Sequence, residues 1–215
     1  YLIVNFYLKF EKVENFSIEM AKIILLLKII YHNKTEKIIN VIKLLVYNLV
    51  DKNGYHKSNN PSYQAEFINQ LHEIKNICLF FDMQVPAQID YQIHNMSSAF
   101  NNLFHKDNSI ALFNGSNNAN YLQFIKINNQ IKDLKTKKLD NDINGIVIYN
   151  DKQKKIFFDV VQPTNRQINQ HLHAGTLSFE MSCLDEKIIT NCGSIEKRFG
   201  EKPRYLRYSA AHSTV

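Results

Sequence analysis

Apolar residues recur at helical spacing through the first half of the chain and at every second position through the second half. The helical stretches are Ile18, Ala21, Leu25 and Ile29; Ile38, Ile42, Leu45 and Leu49; Phe67, Leu71, Ile74 and Cys78; and Ile89, Ile93, Met96, Phe100 and Leu103. Steps of three and four residues put each set on one helix face, so four substantial helices are predicted. Asn33 and Glu36 have the spacing of a capping box before the second, and Asn60-Pro61 stands in the cap and first-turn positions of the third. Short connections predict antiparallel helix pairs, as in a bundle, a solenoid or a helical toroid.

From about residue 108 the period becomes two. Residues 110–113 end at Asn114-Gly115, 145–149 turn at 150–152 into 155–161, and 177–183 turn at 185–186 into 187–191. These read as strands in successive hairpins. Residues 126–142 are polar and read as an irregular connection. Helices followed by strands, in blocks, predict an α+β chain: two domains of different class or one α+β unit, with the division near residue 106.

Composition narrows the possible functions. The chain has 215 residues and a formal charge of +6, with a sequence pI near 9.1. The excess of Lys is spread along the chain without interleaved aromatics. It reads as attraction for an anionic substrate or as plain solubility, and not as a nucleic-acid footprint. Cys78, Cys183 and Cys192 form no CxxC pair, so neither a disulfide framework nor a structural zinc finger is indicated. The apolar run 23–30 is broken by Lys28 and is too short to span a bilayer. The start at Tyr1 without Met and the stop at Val215 in a strand-like run suggest a piece of a longer chain, in which targeting signals are unreadable.

Candidate chemistry concentrates late in the chain. On a strand His171 and His173 would project side by side, and a hairpin or meander could bring Asn191 and His212 beside them. His32, His72, His94 and His105 read as surface or core-edge residues. No Gly-rich phosphate loop and no nucleophile elbow occurs.

Several segments resemble the heparinase II/III-like polysaccharide lyases. Residues 53–64, Asn-Gly-Tyr-His-Lys-Ser-Asn-Asn-Pro-Ser-Tyr-Gln, are similar to that family's Asp-Gly-Gly-His…Ser-Pro-x-Tyr-His segment. Asn15-Phe-Ser-Ile-Glu19 resembles its Asn-His-x-x-Glu helix start. His171-x-His173…Leu-Ser-Phe-Glu180, Ile-x-Asn191-x-Gly193 and Ala-Ala-His212-Ser-Thr214 resemble, in order, strand motifs of its β-sandwich. The resemblance covers nearly the whole chain and is weakest over 71–168. It implies an incomplete α/α toroid, here residues 1–106, followed by an antiparallel β-sandwich, here truncated to 107–215. The implied reaction is β-elimination on an acidic, uronate-containing polysaccharide, with the periplasm or cell envelope as its location.

The resemblance also implies roles. Asn15 would hydrogen bond the uronate carboxylate, Tyr63 would act as general acid, and as base too if nearby cations lowered its pKa, and His171 would transfer a proton on the other side of the sugar ring. His56, Gln64 and Arg207 would contact substrate, although Arg207 could equally pair with an exposed carboxylate. His173, Asn191 and His212 fall where some members hold a structural zinc ion. No cofactor is otherwise required, and without a metal His173 and His212 would buttress His171. Phe16, Gln64, Gly175 and Asn191 replace the family's common His, His, Asp and Asp. These departures fit a second expectation, a non-catalytic carbohydrate-binding or cell-envelope protein that keeps the lyase architecture.

Overall fold

The computed structural model describes residues 17–117, 145–160, 173–194 and 204–214. Its helices are α1 (Ile18–Ile30), α2 (Glu36–Leu49), α3 (Pro61–Phe80) and α4 (Ala87–Asn101). Ser17 Oγ caps α1 by accepting the Met20 N–H, so the cap is two residues beyond Asn15, which lies outside the described residues. The expected Asn33 cap of α2 is not formed. That helix begins after Thr35, which makes no side-chain cap bond, while Asn33 Nδ2 donates to the Tyr31 carbonyl. At α3 the expectation holds: Asn60 Oδ1 accepts from the N–H groups of Ser62 (2.8 Å) and Tyr63 (3.1 Å), with Pro61 in the first turn.

Helix α1 packs on α2 and α3, and α3 packs on α4. The predicted stripes form the core: Ala21, Leu25, Ile38, Ile42, Ile68, Leu71, Ile74, Ile89, Met96 and Phe100 are all buried. Among the described residues no helix is long and apolar enough to cross a membrane.

Beyond α4 the chain does not enter the strand expected at 110–113. Ile110 makes only an isolated bridge to Phe104, and Ile110 to Asn114 are buried between the helices and the sheet. All four residues Ile110 to Phe113 are apolar and buried because both sides of this strap are covered, and the N–H groups of Ala111 and Leu112 are taken by the Leu103 carbonyl and by a carboxylate. Of the expected loop at 126–142, all lies outside the described residues.

The sheet is four-stranded and antiparallel in the order β1 (Ile146–Asn150), β2 (Lys154–Asp159), β3 (Phe179–Cys183) and β4 (Glu186–Ile189). Both predicted hairpins are present. The first turns on Asp151, whose Oδ1 accepts the N–H groups of Gln153 (2.7 Å) and Lys154 (2.6 Å). Val147, Phe158 and Phe179 align across β1, β2 and β3 on the outer face, with Phe158 and Phe179 stacked at 5.7 Å. The opposite face, which meets the helical half, carries Lys155, Phe157, Glu180 and Ser182, all buried.

This interface is polar as well as apolar. Phe157 packs edge-on against His105 at 4.7 Å and beside Phe113 at 6.4 Å. Lys155 Nζ donates to the Phe104 carbonyl at 2.5 Å, and desolvation pulls its pKa down to about 8. His105, expected at the surface or core edge, is instead buried and bonded through Nε2 to Glu180 at 2.7 Å. Desolvation lowers its pKa despite the carboxylate, and Nδ1 is buried without a partner among the described residues. Both facts favour a neutral imidazole that donates from Nε2. Helices followed by an antiparallel sheet give the α+β architecture predicted above.

Candidate functional site

The loop before α3 is shaped by local hydrogen bonds. Asp51 Oδ1 accepts from the Asn53 and Tyr55 N–H groups at 2.9 and 2.8 Å, and Val50 bridges to His56. Gly54 has φ +90, and a Cβ there would meet the Asn95 carbonyl oxygen at 2.5 Å, so glycine is required on both counts.

Gln64 closes the loop from below. Its Nε2 donates to the carbonyls of Gly54 (2.7 Å) and Met96 (3.0 Å), and its Oε1 accepts the His56 N–H at 2.6 Å. It is 1 % exposed, so the side chain expected to contact substrate holds the loop to α3 and α4 instead. Gln64→Leu is expected to lower stability by about 2 to 3 kcal/mol, because it strands buried backbone groups. A denaturant melt checks this.

His56 Nδ1 lies 2.7 Å from Ser58 Oγ and accepts the Ser58 N–H at 3.2 Å. An accepting Nδ1 places the ring proton on Nε2. Desolvation, then the Lys57 charge, pushes the His56 pKa down to about 4, so the ring is neutral near neutrality. Its ring lies between Tyr63, at 6.2 Å, and Phe67, at 5.4 Å.

Because the unfolded chain takes up this proton near 6.5 and the folded chain only near 4, the linked stability is present above pH 6.5 and is lost as pH falls toward 4. A melting series over that interval is expected to slope less steeply for His56→Gln than for the unaltered chain.

Tyr63 occupies the first turn of α3 and is half-buried. Its pKa is raised, by desolvation first and then by the charges of Glu66 and Glu19. Among the described residues the charges that act on it are these two carboxylates, not the cations that would lower it. Glu66 is itself raised by desolvation and by Glu19. The two carboxylates were missed as site residues, although the signals existed: Glu66 is three residues after Tyr63 on one helix, and Glu19 belongs to the motif that begins at Asn15.

The second group is on the sheet side. His173 is not in a strand; it lies in the loop before β3, and His171 lies outside the described residues. His212 follows a 3-10 turn, Ser209–Ala211, and Arg207 ends another, Arg204–Arg207, where a strand was expected. Arg207 is exposed, and its carbonyl accepts the Ala174 N–H at 2.9 Å. The rings of His173 and His212 meet edge-on at 5.4 Å. Burial lowers the His212 pKa, partly offset by a hydrogen bond to the Leu206 backbone. Gly175 closes the group, since a Cβ there would touch the His212 ring and Ser178 Oγ at 3.3 Å.

A zinc ion does not fit this set. Asn191 Oδ1 accepts from Ser213 N (3.1 Å) and Oγ (3.2 Å), which fixes the amide orientation. What remains is Nδ2, buried without a partner among the described residues. An amide NH2 carries no lone pair for a metal. Two imidazoles beside an amide donor offer at most two zinc ligands, and among the described residues no group of three His, Cys, Asp or Glu side chains is placed to hold a metal.

The structure therefore gathers His56, Tyr63 and Gln64 into one group and His173, Asn191 and His212 into another. The strap at 110–117 runs between them. Asn60 Nδ2 donates to the Asn114 carbonyl (2.9 Å), Ser62 Oγ is 2.8 Å from Ser116 Oγ, and the Ser194 N–H donates to the Ser116 carbonyl (2.8 Å).

Comparison with known proteins agrees with the motifs. Residues 140–215 match the family model described as Heparinase II/III-like, C-terminal. No curated protein matches the chain. Among solved structures, heparinase III is similar with a TM-score of 0.72 and 13% identity over 97% of this chain and 40% of its own. The heparan sulfate lyase HepC from Pedobacter heparinus is similar with a TM-score of 0.70 and 13% identity over 98% of this chain and 38% of its own. At that identity the likeness is one of fold. The chain spans about two fifths of the length of these structures. The family suspected from the motifs is the one whose model matches residues 140–215, and helices followed by an antiparallel sheet share the heparinase III fold.

Proposed function

We propose that this heparinase-like chain supplies part of a polysaccharide lyase that cleaves a uronate-containing glycan by β-elimination, with Tyr63 as general acid. The observation that carries the reading is the placement of that phenol. Tyr63 stands half-buried in the first turn of a firmly capped helix with its ring 6.2 Å from the neutral His56 imidazole, and burial and two carboxylates raise its pKa further.

In β-elimination the C5–H bond breaks and its proton passes to a base. Its electrons form the C4=C5 double bond, the C4–O bond breaks, and the departing glycosidic oxygen takes a proton from an acid. A group must also offset the substrate carboxylate, since loss of the C5 proton adds charge beside it. Tyr63 suits the acid step because a phenol with a raised pKa still carries its proton. The same shift speaks against Tyr63 as base, and the motif resemblance assigns that role to His171 and the carboxylate contact to Asn15. His56, accepting at Nδ1, presents Nε2–H as a donor suited to a sugar hydroxyl. His173, Asn191 and His212 act as a metal-free brace for His171, so no step runs through an ion. An anionic glycan also fits the net charge of +6. The periplasm or cell envelope is the location in which such a polymer would be met.

The test is incubation of the full-length protein with heparan sulfate, alginate and other uronate polymers, followed by ultraviolet absorbance of the conjugated unsaturated uronate that elimination creates and hydrolysis does not. A rise supports the lyase. Retained glycan binding with no rise on any polymer supports a carbohydrate-binding protein on the same fold.

A further inference from the structure

We infer that Glu180 is a positioning residue, a buried carboxylate that sets the Tyr63 group in register with the His173 and His212 group; its catalytic consequence rests on the lyase reading. The side chain is 0 % exposed on the inner face of β3. One oxygen serves the helical half: Oε2 accepts from His105 Nε2 at 2.7 Å and from the Leu112 N–H at 3.2 Å. The other serves the sheet half: Oε1 accepts the Asn191 N–H at 2.8 Å and Thr190 Oγ1 at 3.3 Å.

From Leu112 the connection continues without a gap to the tyrosine. Asn114 exchanges bonds with the helix cap, accepting from Asn60 Nδ2 at 2.9 Å and donating to the Asn59 carbonyl at 3.1 Å. The Asn117 N–H donates to Ser62 Oγ at 3.0 Å, one residue before Tyr63. From Asn191 it continues to the histidines, since Asn191 Oδ1 accepts the N–H of Ser213, the neighbour of His212. The two arms also meet directly. Ser194 Oγ donates to the Gly115 carbonyl at 2.5 Å, and Gly193, at φ +67, approaches so closely that a Cβ would lie 2.8 Å from the Ser116 carbonyl oxygen.

An apolar residue could fill the space that Glu180 occupies at no cost in desolvation. It could not accept two backbone N–H groups from separate segments in fixed directions. A carboxylate with four donors does so, and a displacement of about 1 Å between reacting groups can cost on the order of 100-fold in rate.

The test is Glu180→Gln in the full-length protein, read by amide hydrogen exchange and by lyase kinetics on a uronate polymer. The amide keeps the size of the side chain but turns one acceptor into a donor facing other donors. Exchange is expected to quicken by roughly 10-fold or more at 112–117 and 191–194, with the β1–β2 hairpin unchanged. The expected kcat falls by roughly 10- to 100-fold while KM stays within about threefold. Unchanged exchange at either segment overturns the link, and faster exchange with an unchanged kcat overturns the positioning role. If the substituted protein does not fold, Glu180→Asp, which keeps the carboxylate but shortens its reach to the Leu112 and Asn191 N–H groups, is read by the same two measurements with the same outcomes. Absence of elimination activity in the unaltered protein would instead defeat the lyase reading, and exchange alone would then support or overturn the link.

Discussion

Tyr63→Phe is expected to lower kcat for elimination by roughly 100- to 10,000-fold, the usual contribution of a positioned general acid, with KM nearly unchanged. The substitution removes one hydroxyl and leaves the ring contact with His56, so melting and glycan binding should survive. The pH profile adds a sign. Desolvation, Glu66 and Glu19 all raise the phenol from its ordinary 10.0. An acid of that kind loses its proton only above that value, so the alkaline limb of kcat assigned to Tyr63 should lie above pH 10. An alkaline limb near neutrality that disappears in Tyr63→Phe would mean the phenol works deprotonated, as a base. Initial rates on one polymer across the pH range decide between the two.

Phe157→Ala is expected to lower stability by about 3 to 5 kcal/mol, the range for emptying a fully buried aromatic site. Phe157 is 0 % exposed and packs against His105, Phe113 and the stem of Lys155, whose amine lies 5.1 Å from the ring centroid. Its removal leaves a cavity between the sheet and the strap, next to groups that tolerate water poorly. A denaturant melt gives the loss. A loss below about 1 kcal/mol would mean that this interface is not closed as described.

Much of the fold was legible because the responsible forces are local. The cap at Asn60, the four apolar stripes and the two hairpins each follow from residues within a few positions of one another. The errors were local signals overruled by distant contacts. Asn33 had capping-box spacing, but Thr35 took the cap position and the helix began at Glu36. Residues 110–113 formed a short apolar run before Asn114-Gly115, as a strand would, but their partners are the segment after α4 and a carboxylate some seventy residues away. His105 carried no pattern that distinguished a buried ring bonded to a carboxylate from a surface one.

For the candidate site the division is similar. Tyr63, His56 and Gln64 were found through a motif, yet Gln64 proved to be a buried tie and not a sugar contact. Asn15 and His171 lie outside the described residues, so their roles rest on the motif alone. The poor fit to zinc was suggested by Asn191 in the sequence, but its orientation depended on Ser213.

The sequence by itself determined the helices, the hairpins, their order along the chain and the family resemblance, because period, caps and turns act over a few residues. Only the tertiary structure decided the raised pKa of Tyr63, the tautomer of His56 and the grip of Glu180 on two segments. These depend on burial and on donors brought together from positions far apart in the chain, and no spacing along a sequence records how much water a group has lost.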